Sequence, residues 1–306
     1  MNIDDIKAEL KKLLDNQNTI NSENIDDAMK KIMEKKNNAP NKDFEGYSPL
    51  DMHQILHFLF DEKCPIRIKK MSQNDIEKIP IYNGVKFLVD YLAGHEKIKL
   101  TATSNLPTKI VSELYSKKYF LEESIESGVV NLRTENDSIY IHLCHVLLVN
   151  TGYAKKVKGI LTLTAKGKKN SSNYQQFIED ILKTYCNKFN WDYLDNYDNF
   201  DAAKLGNGFS IYLLSKYGTI KREANFYAFK YFQAFPIITE NINIRSLFES
   251  KEEYLINCFS MRTFERFGRF FGLVKLENKK RFLDPLVLQK TVLLDLMFEF
   301  EKPAKY

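Results

Sequence analysis

The stretch from Lys97 to Lys118, KIKLTATSNLPTKIVSELYSKK, carries the signals for a strand, a turn and a helix in immediate succession. Lys97–Ala102 alternates polar and apolar residues, which is the period of a half-buried strand. Ser104 and Asn105 are residue types that cap helices, and Pro107 is expected in the first helical turn. Apolar residues then recur at helical spacing, at Leu106, Ile110, Val111 and Leu114.

The segments on either side complete the pattern of a winged helix. A helix is expected over Val85 to Leu92, and a glycine follows it. Downstream, Ile139–Asn150 predicts a buried helix, and Tyr153–Val157 and Ile160–Thr164 predict two strands joined by a Lys-Gly turn. The acidic segment Lys117–Ser138 is interpreted as an insertion between the second and third helices. Helix, strand, helix, helix, strand, wing, strand is the order of a winged helix.

The C-terminal end repeats this order of elements. Ser260 is expected to cap a helix over Met261–Phe271. Short strands are expected at Leu273–Glu277 and Arg281–Leu283, around a basic turn. A last helix is expected from Pro285 to about Glu301. The pattern predicts a second winged-helix-like module.

Length and composition support several modules with a sizeable core, since the chain has 306 residues of which 44% are hydrophobic. We predict an α+β protein, mainly α, in which helical segments join two winged-helix-like modules. The expected divisions are N-terminal helices and a linker at 1–45, a helical lead-in with the first module at 46–170, a helical middle region at 171–244, and the second module at 245–306.

Several classes of protein are disfavoured by the sequence. No apolar run is long enough to span a bilayer, and the N-terminal MNIDDIKAELKK has no apolar signal-peptide core. The four cysteines are far apart, which favours reduced thiols over disulfides: Cys64, Cys144, Cys186 and Cys258. We therefore expect a cytoplasmic protein without a membrane partner and without a cofactor.

A basic cluster surrounds the first predicted wing. Six lysines lie within 15 residues with no acidic residue among them: Lys155, Lys156, Lys158, Lys166, Lys168 and Lys169. Such side chains can neutralise phosphates without reading a base sequence. The alternative is a solvated hairpin in a lysine-rich protein. The helix Ile139–Asn150 carries no Arg or Lys, so we expect it to be buried rather than to read a DNA groove.

The second predicted module carries an arginine stripe. Arg262, Arg266 and Arg269 lie at positions i, i+4 and i+7 and are expected to share one exposed helix face. Arginine suits bidentate contact with guanine or phosphate, which makes double-stranded DNA the expected partner. A solvated amphipathic helix is the alternative. The matching wing would consist of Lys275, Lys279, Lys280 and Arg281.

Metal binding is a subordinate alternative. His53 and His57 lie at i and i+4, a spacing at which two helical histidines can share a metal ion. Gln54 replaces the glutamate of a zinc-peptidase motif, and the apolar neighbours Met52 and Leu56 favour ordinary packing. The chain also lacks a P-loop, a G-x-G-x-x-G fingerprint and a G-x-S-x-G elbow, so an enzyme is not expected.

Three strings of the chain resemble a family of uncharacterised bacterial proteins. They are DFEGYSPLDMHQIL at Asp43–Leu56, KIKLTATSNLPTKIVSELY at Lys97–Tyr115, and GYAKKVKGILTLTAKGKK at Gly152–Lys169. The family pattern is D-F-x-G-x-S-P-x-x-M, then K-L-T-A-T-x-N-L-P, then a winged-helix-like wing. The resemblance covers about two fifths of the chain and implies no particular activity. Some similar proteins carry a cysteine-rich zinc-binding tail, which is lacking here, so no zinc site is implied.

The leading function predicted from the sequence is non-enzymatic nucleic-acid binding through the two wings and the arginine stripe. The alternative is a protein-interaction or dimerisation module, in which the winged helices are scaffolds and the helix at 139–149 packs against a partner. A metal-dependent enzyme using His53 and His57 is the remote alternative. Wings and stripe on one positive face favour the first function. A stripe buried by acids such as Asp195 and Asp198 favours the second.

Overall fold

The fold is mainly helical, with small sheets, so the predicted α+β, mainly α class is confirmed. The chain divides into two compact units, one formed by Met1–Pro65 with Phe300–Tyr306 and the other by Ile66–Glu299. The structure, a computed structural model, describes residues 7–11, 22–193, 195, 197, 201–240, 250–277 and 284–303.

The first unit contains α1 (Ser22–Asn37) and α2 (Pro49–His57). Local chemistry defines where α2 begins. The Ser48 hydroxyl accepts a hydrogen bond from the Asp51 N–H at 3.1 Å, and the Asp51 carboxylate accepts one from the Ser48 N–H at 2.9 Å. This reciprocal cap satisfies backbone donors that a helix start otherwise leaves unpaired. Met52 and Ile55 form the buried face of α2.

The second unit begins with β1 (Ile66–Ile68) and α3 (Gln73–Ile76), and a first set of elements follows. In this set β2, β4 and β3 form an antiparallel sheet in that order. The helix α7 and the strands β3 and β4 occur where the sequence predicts them. The set consists of α4 (Pro80–His95), β2 (Ile98–Lys99), α5 (Thr108–Ser116), α6 (Glu123–Glu126), a 3-10 turn (Glu135–Asp137), α7 (Ile139–Asn150), β3 (Ala154–Val157) and β4 (Ile160–Leu163).

A second set repeats this order after α8 (Ala165–Asn170) and α9 (Tyr174–Asn187). Its strands pair antiparallel in the order β5-β7-β6, which matches the order of the first sheet. The second set therefore has the same succession of helices and strands as the first. It consists of α10 (Asn207–Tyr217), β5 (Arg222–Glu223), α11 (Ala224–Ala234), α12 (Ile237–Glu240), α13 (Lys251–Ser260), a π-helix (Met261–Gly268), β6 (Val274–Leu276) and β7 (Val287–Lys290), with α14 (Val292–Met297) and β8 (Phe298–Phe300) after it.

Close packing of α4 against α7 forms the centre of the first set. Gly84 of α4 lies so near Tyr140 and Cys144 of α7 that an added Cβ would overlap both side chains. The Tyr140 hydroxyl donates a hydrogen bond to the Pro80 carbonyl at 2.6 Å. Close packing and a hydrogen bond thus hold α7 against α4, which explains why the apolar residues of α7 are buried.

The start of α5 differs from the prediction. The strand before it contains only Ile98–Lys99, and the helix begins after Pro107, which caps it without a side-chain hydrogen bond. Ser104 and Asn105 do not act as caps. The loop is closed instead by a bond from the Thr101 N–H to the Asn105 carbonyl at 2.9 Å. The turn residues therefore stabilise a loop conformation rather than a helix terminus.

Two predictions near the C-terminus are wrong. Ser260 does not start a helix, because its backbone is helical (φ −63°, ψ −44°) and α13 continues directly into the π-helix. The expected helix from Pro285 to Glu301 is replaced by β7, α14 and β8. Pairing of β7 with both β5 and β6 supplies backbone hydrogen bonds that local helical spacing cannot reveal. The strand expected at Arg281–Leu283 lies outside the described residues.

Candidate nucleic-acid interface

The basic hairpin, residues 154–169, consists of β3, β4 and the start of α8. Its turn is formed by Lys158 and Gly159, whose φ angles of 50° and 73° are both positive. Two consecutive residues of this kind form the tight turn whose twist suits a two-residue hairpin. Val157 lies opposite Ile160 at the end of the ladder, and the two side chains are 54% and 38% exposed. The turn therefore projects from the sheet with solvent on several sides.

The lysines of the basic hairpin are exposed, as the sequence predicts. Five of them make no ion pair with any residue in the described part of the chain: Lys155, Lys156, Lys158, Lys168 and Lys169. Their charges lie within one short segment and are not neutralised by described carboxylates. This is an arrangement that attracts polyanions.

Lys166 has a different environment from the other lysines of the hairpin. Its ammonium group forms an ion pair with Asp180 at 2.8 Å and lies 5.0 Å from the centre of the Tyr153 ring. The Tyr153 hydroxyl also donates to Asp180, at 2.9 Å. Burial raises the pKa of Asp180, but the hydrogen bonds from Lys166, Gln176 and Tyr153 outweigh it and lower that pKa. Lys166 therefore anchors the hairpin to α9, and Asp180 pairs with its charge.

The helix α7 is buried, which agrees with the expectation from its apolar sequence. Only Ile139 and Asn150 of its residues are exposed. A helix that reads the major groove needs an exposed row of donors and acceptors. Of the two predicted surfaces in the first set of elements, the basic hairpin is therefore accessible and α7 is not. Because α7 packs inside its own unit, it is equally unavailable to a protein partner.

Acidic residues from the preceding segment hold the start of α7. The Glu122 carboxylate accepts hydrogen bonds from the Ile139 N–H at 2.9 Å and from the Ser138 hydroxyl. The Ser138 oxygen in turn accepts from the Ile141 N–H at 3.1 Å. Negative charge at a helix N-terminus complements the helix dipole. The acidic segment thus has a structural role that its composition did not reveal.

Glu135 is the most enclosed carboxylate of this region, since its side chain has no solvent exposure. It accepts hydrogen bonds from His142 Nδ1 at 2.7 Å, from His145 Nδ1 at 2.9 Å and from the Leu106 N–H at 2.5 Å. A carboxylate can only accept, so both imidazoles carry a proton on Nδ1. Burial raises the pKa of Glu135, but these hydrogen bonds and the charge of His145 outweigh it and lower that pKa to about 2.

The hydrogen bonds around Glu135 continue from His142 toward the second set of elements. His142 Nε2 lies 3.1 Å from the Tyr193 hydroxyl, and Arg266 donates to the Tyr193 carbonyl at 2.9 Å. A cavity beside these groups has a volume of only about 10 Å³. That is room for roughly one water molecule. The arrangement of Glu135, His142 and Tyr193 therefore joins two parts of the unit, and it leaves no space for a substrate.

The arginine stripe is not an exposed surface, and this corrects the prediction. Arg262 is 1% exposed and Arg266 is 8% exposed. Arg262 forms a two-pronged ion pair with Asp195, Nε to Oδ2 at 2.6 Å and Nη2 to Oδ1 at 3.2 Å, and donates to the Ala202 carbonyl at 3.2 Å. Burial lowers the pKa of Arg266. Both guanidinium groups therefore bind partners inside the protein, because a buried charge requires a partner.

Arg269 is half-buried and also faces the protein. Its guanidinium carbon lies 4.7 Å from the centre of the Phe120 ring, a cation–π contact, and Nη2 lies 3.5 Å from the Leu121 carbonyl. Next to it, the Phe270 ring lies 4.9 Å from Phe120 and 6.0 Å from Tyr140. The segment that directly follows the π-helix thus packs toward α7 through the contact between Phe270 and Tyr140.

The predicted second wing is described only in part. Lys275 is exposed on β6, and nearby Glu277 forms an ion pair with Lys221. The remaining predicted wing residues lie outside the described residues: Lys279, Lys280 and Arg281.

The predicted metal candidates occur together on α2. His53 and His57 are both exposed, and their ring centres are 4.7 Å apart. No group of three or more metal-ligating side chains occurs among the described residues.

Comparison of the chain with protein-family models, with curated proteins and with solved structures gives no match in any of the three. Within the described residues, no helix is both long enough and apolar enough to pass through a lipid bilayer.

Sequence reasoning missed Glu135 and its role. The signal available was an acidic residue followed at seven and ten positions by the histidines 142 and 145, which share one face of a predicted helix. That spacing could have indicated a buried acid–histidine cluster. Which backbone N–H completes it depends on a loop 29 residues earlier, and sequence spacing does not give that contact.

Proposed function

We propose that the two repeated sets of elements are winged-helix modules, and that the protein is a non-enzymatic binder of nucleic acid. The first module contacts the phosphate backbone through the basic hairpin and does not read base sequence. The observation that carries the proposal is the group of five exposed lysines without described ion-pair partners: Lys155, Lys156, Lys158, Lys168 and Lys169.

The chemistry of these lysines favours phosphate over base recognition. An ammonium group is a compact point charge on a flexible stem, suited to neutralising a phosphate and not to a fixed bidentate contact with a base. The burial of α7 and of the arginine stripe removes the two helical surfaces that could supply base contacts. Affinity should therefore depend little on DNA sequence and strongly on salt.

The test is binding of the full chain to a labelled random-sequence DNA duplex at 50 to 200 mM salt. If all five lysines meet phosphates, the slope of log affinity against log salt is about −4.5, a loss of roughly 500-fold over that range. The variant Lys155→Gln/Lys156→Gln/Lys158→Gln should bind more weakly, with a slope shallower by about 2.7.

A charge-matched control distinguishes the effect of the position of the lysines from the effect of the net charge of the protein. Lys30→Gln/Lys31→Gln/Lys63→Gln removes the same three charges from exposed sites elsewhere, so both triple variants change the formal net charge from +5 to +2. The control should keep the wild-type slope. Absence of binding by the wild type at 50 mM salt, or equal slopes for the two variants, would overturn the proposal.

A scaffold function is the second candidate. The observation in its favour is that Asp195 pairs with Arg262 in the interior, so the stripe is buried by an acid. In that case the modules act as rigid elements for self-association or for another protein. Light scattering after size-exclusion chromatography tests self-association. A dimer that persists without DNA, together with no DNA binding at low salt, would favour this function.

A further inference from the structure

The exposed face of α2 carries two histidines side by side. His53 and His57 are one helical turn apart, and both side chains are exposed. Neither ring makes a hydrogen bond or an ion pair with a described residue. Their described neighbours are each other and the Phe58 ring, which lies 5.9 Å from His53 and 6.5 Å from His57.

The distance between the rings matches a shared metal ion. With Zn–N bonds of about 2.0–2.1 Å and a ring radius of about 1.1 Å, each ring centre stands roughly 3.2 Å from a bound ion. Two ring centres 4.7 Å apart then subtend roughly 95° at the ion, between the square-planar and tetrahedral angles. The rings are inclined at 53°, so they do not stack face to face.

The other three histidines of the chain are placed differently. His142 and His145 direct Nδ1 to Glu135, and His145 is buried. His95 is exposed but stacks on Tyr91 at 4.1 Å, with Nδ1 bonded to the Tyr91 carbonyl. The α2 pair is therefore where two exposed imidazoles lie side by side without a hydrogen bond to a described residue.

We propose that His53 and His57 bind one divalent transition-metal ion, Cu²⁺, Ni²⁺ or Zn²⁺, and that the ion links two successive turns of α2. The described part of the chain adds no third side-chain ligand, so water completes the coordination. The site lies on a convex helix surface, and its role is to stabilise α2 or to bridge to a ligand on another molecule.

Metal preference and pH dependence follow from the ligands. Imidazole nitrogen suits these three ions, and Cu²⁺ binds most tightly in the divalent series. Protons compete with the metal ion for the imidazole nitrogens, so affinity should fall in acid.

The experiment is calorimetric titration of CuCl₂ and ZnCl₂ into the full chain at pH 7.5. The wild type should bind one Cu²⁺ per chain more tightly than any remaining sites. In His53→Ala or His57→Ala the dissociation constant should rise by at least about tenfold, because the second imidazole binds intramolecularly at high effective concentration. Zn²⁺ should bind more weakly than Cu²⁺, and its affinity should also be higher for the wild type than for His53→Ala or His57→Ala.

The exposed His95 provides the control. His95→Ala removes one surface imidazole and should leave the tight site unchanged, and circular dichroism checks that all variants are folded. Tight binding lost equally in all three variants, or retained in His53→Ala and His57→Ala, would overturn the proposal. A second readout is thermal: Cu²⁺ should raise the unfolding temperature of the wild type and of His95→Ala, but not of His57→Ala.

Discussion

Glu135 offers the sharpest test of the interior of the second unit. The Glu135→Gln variant keeps the shape of the side chain and removes its charge. If the amide oxygen faces the two imidazoles, the amide nitrogen faces the Leu106 N–H, and two donors then meet. The variant therefore loses at least one charge-assisted hydrogen bond and leaves a buried donor without a partner.

Two estimates give the same loss in the free energy of unfolding for Glu135→Gln. A lost hydrogen bond to a charged group, together with the donor left unsatisfied, costs about 3 kcal/mol. Independently, the pKa of Glu135 falls from 4.5 to about 2 in the folded protein. At 1.36 kcal/mol per pKa unit this shift corresponds to about 3 kcal/mol of stability at neutral pH. We expect Glu135→Gln to lower the free energy of unfolding by that amount.

Urea unfolding followed by circular dichroism measures the effect. With a slope of roughly 3 kcal/mol per molar urea, the midpoint should fall by about 1 M. Glu123→Gln is the matched control, because Glu123 is exposed and has no described hydrogen-bond partner through its side chain. The control should stay within about 0.5 kcal/mol of wild type.

The pH dependence gives a second check. The folded-state pKa of Glu135 is lowered, so its contribution is complete above about pH 4.5 and is lost as the pH falls toward 2. The difference between wild type and Glu135→Gln should shrink from about 3 kcal/mol at pH 6 to about 1 kcal/mol at pH 3. A midpoint equal to that of Glu123→Gln, or a difference independent of pH, would refute the reasoning.

Two further substitutions test packing and buried charge. Gly167→Ala should destabilise the protein by about 1–3 kcal/mol, because the added Cβ overlaps the Tyr153 carbonyl oxygen. In the control Gly94→Ala the added Cβ meets no atom within 4 Å, so this variant should be neutral or stabilising. Thermal unfolding compares the two variants. Asp195→Asn should cost about 3–5 kcal/mol, because it removes the negative charge that pairs with the buried Arg262 guanidinium; urea unfolding measures the loss, and an effect below 1 kcal/mol would contradict the ion pair.

The failure of the arginine-stripe prediction has a physical reason. Helical spacing establishes that Arg262 and Arg266 share a face, but it does not establish what covers that face. The cover comes from Asp195, which is 67 residues away in the chain, and from the Tyr193 carbonyl. In this helix, the apolar side chains and both arginines are buried, because Asp195 pairs with Arg262 and the Tyr193 carbonyl accepts a hydrogen bond from Arg266.

Local signals were sufficient for much of the first set of elements. The apolar run of α7 and the Lys158-Gly159 turn of the basic hairpin were both evident from the sequence. These features depend on contacts within about four residues, so the sequence alone determined them. The exposure of the hairpin lysines also followed from their composition.

Only the tertiary structure decided the pairings between distant segments. Val287–Lys290 becomes a strand because β5 and β6 lie on either side of it, and β5 itself is a pair of residues with no strand pattern. Likewise, Glu135 accepts the Leu106 N–H only because the loop before α5, 29 residues earlier in the chain, lies against the start of α7. Hydrogen bonds and burial at these places come from residues far apart in the chain, and the gain from pairing them outweighs local preference.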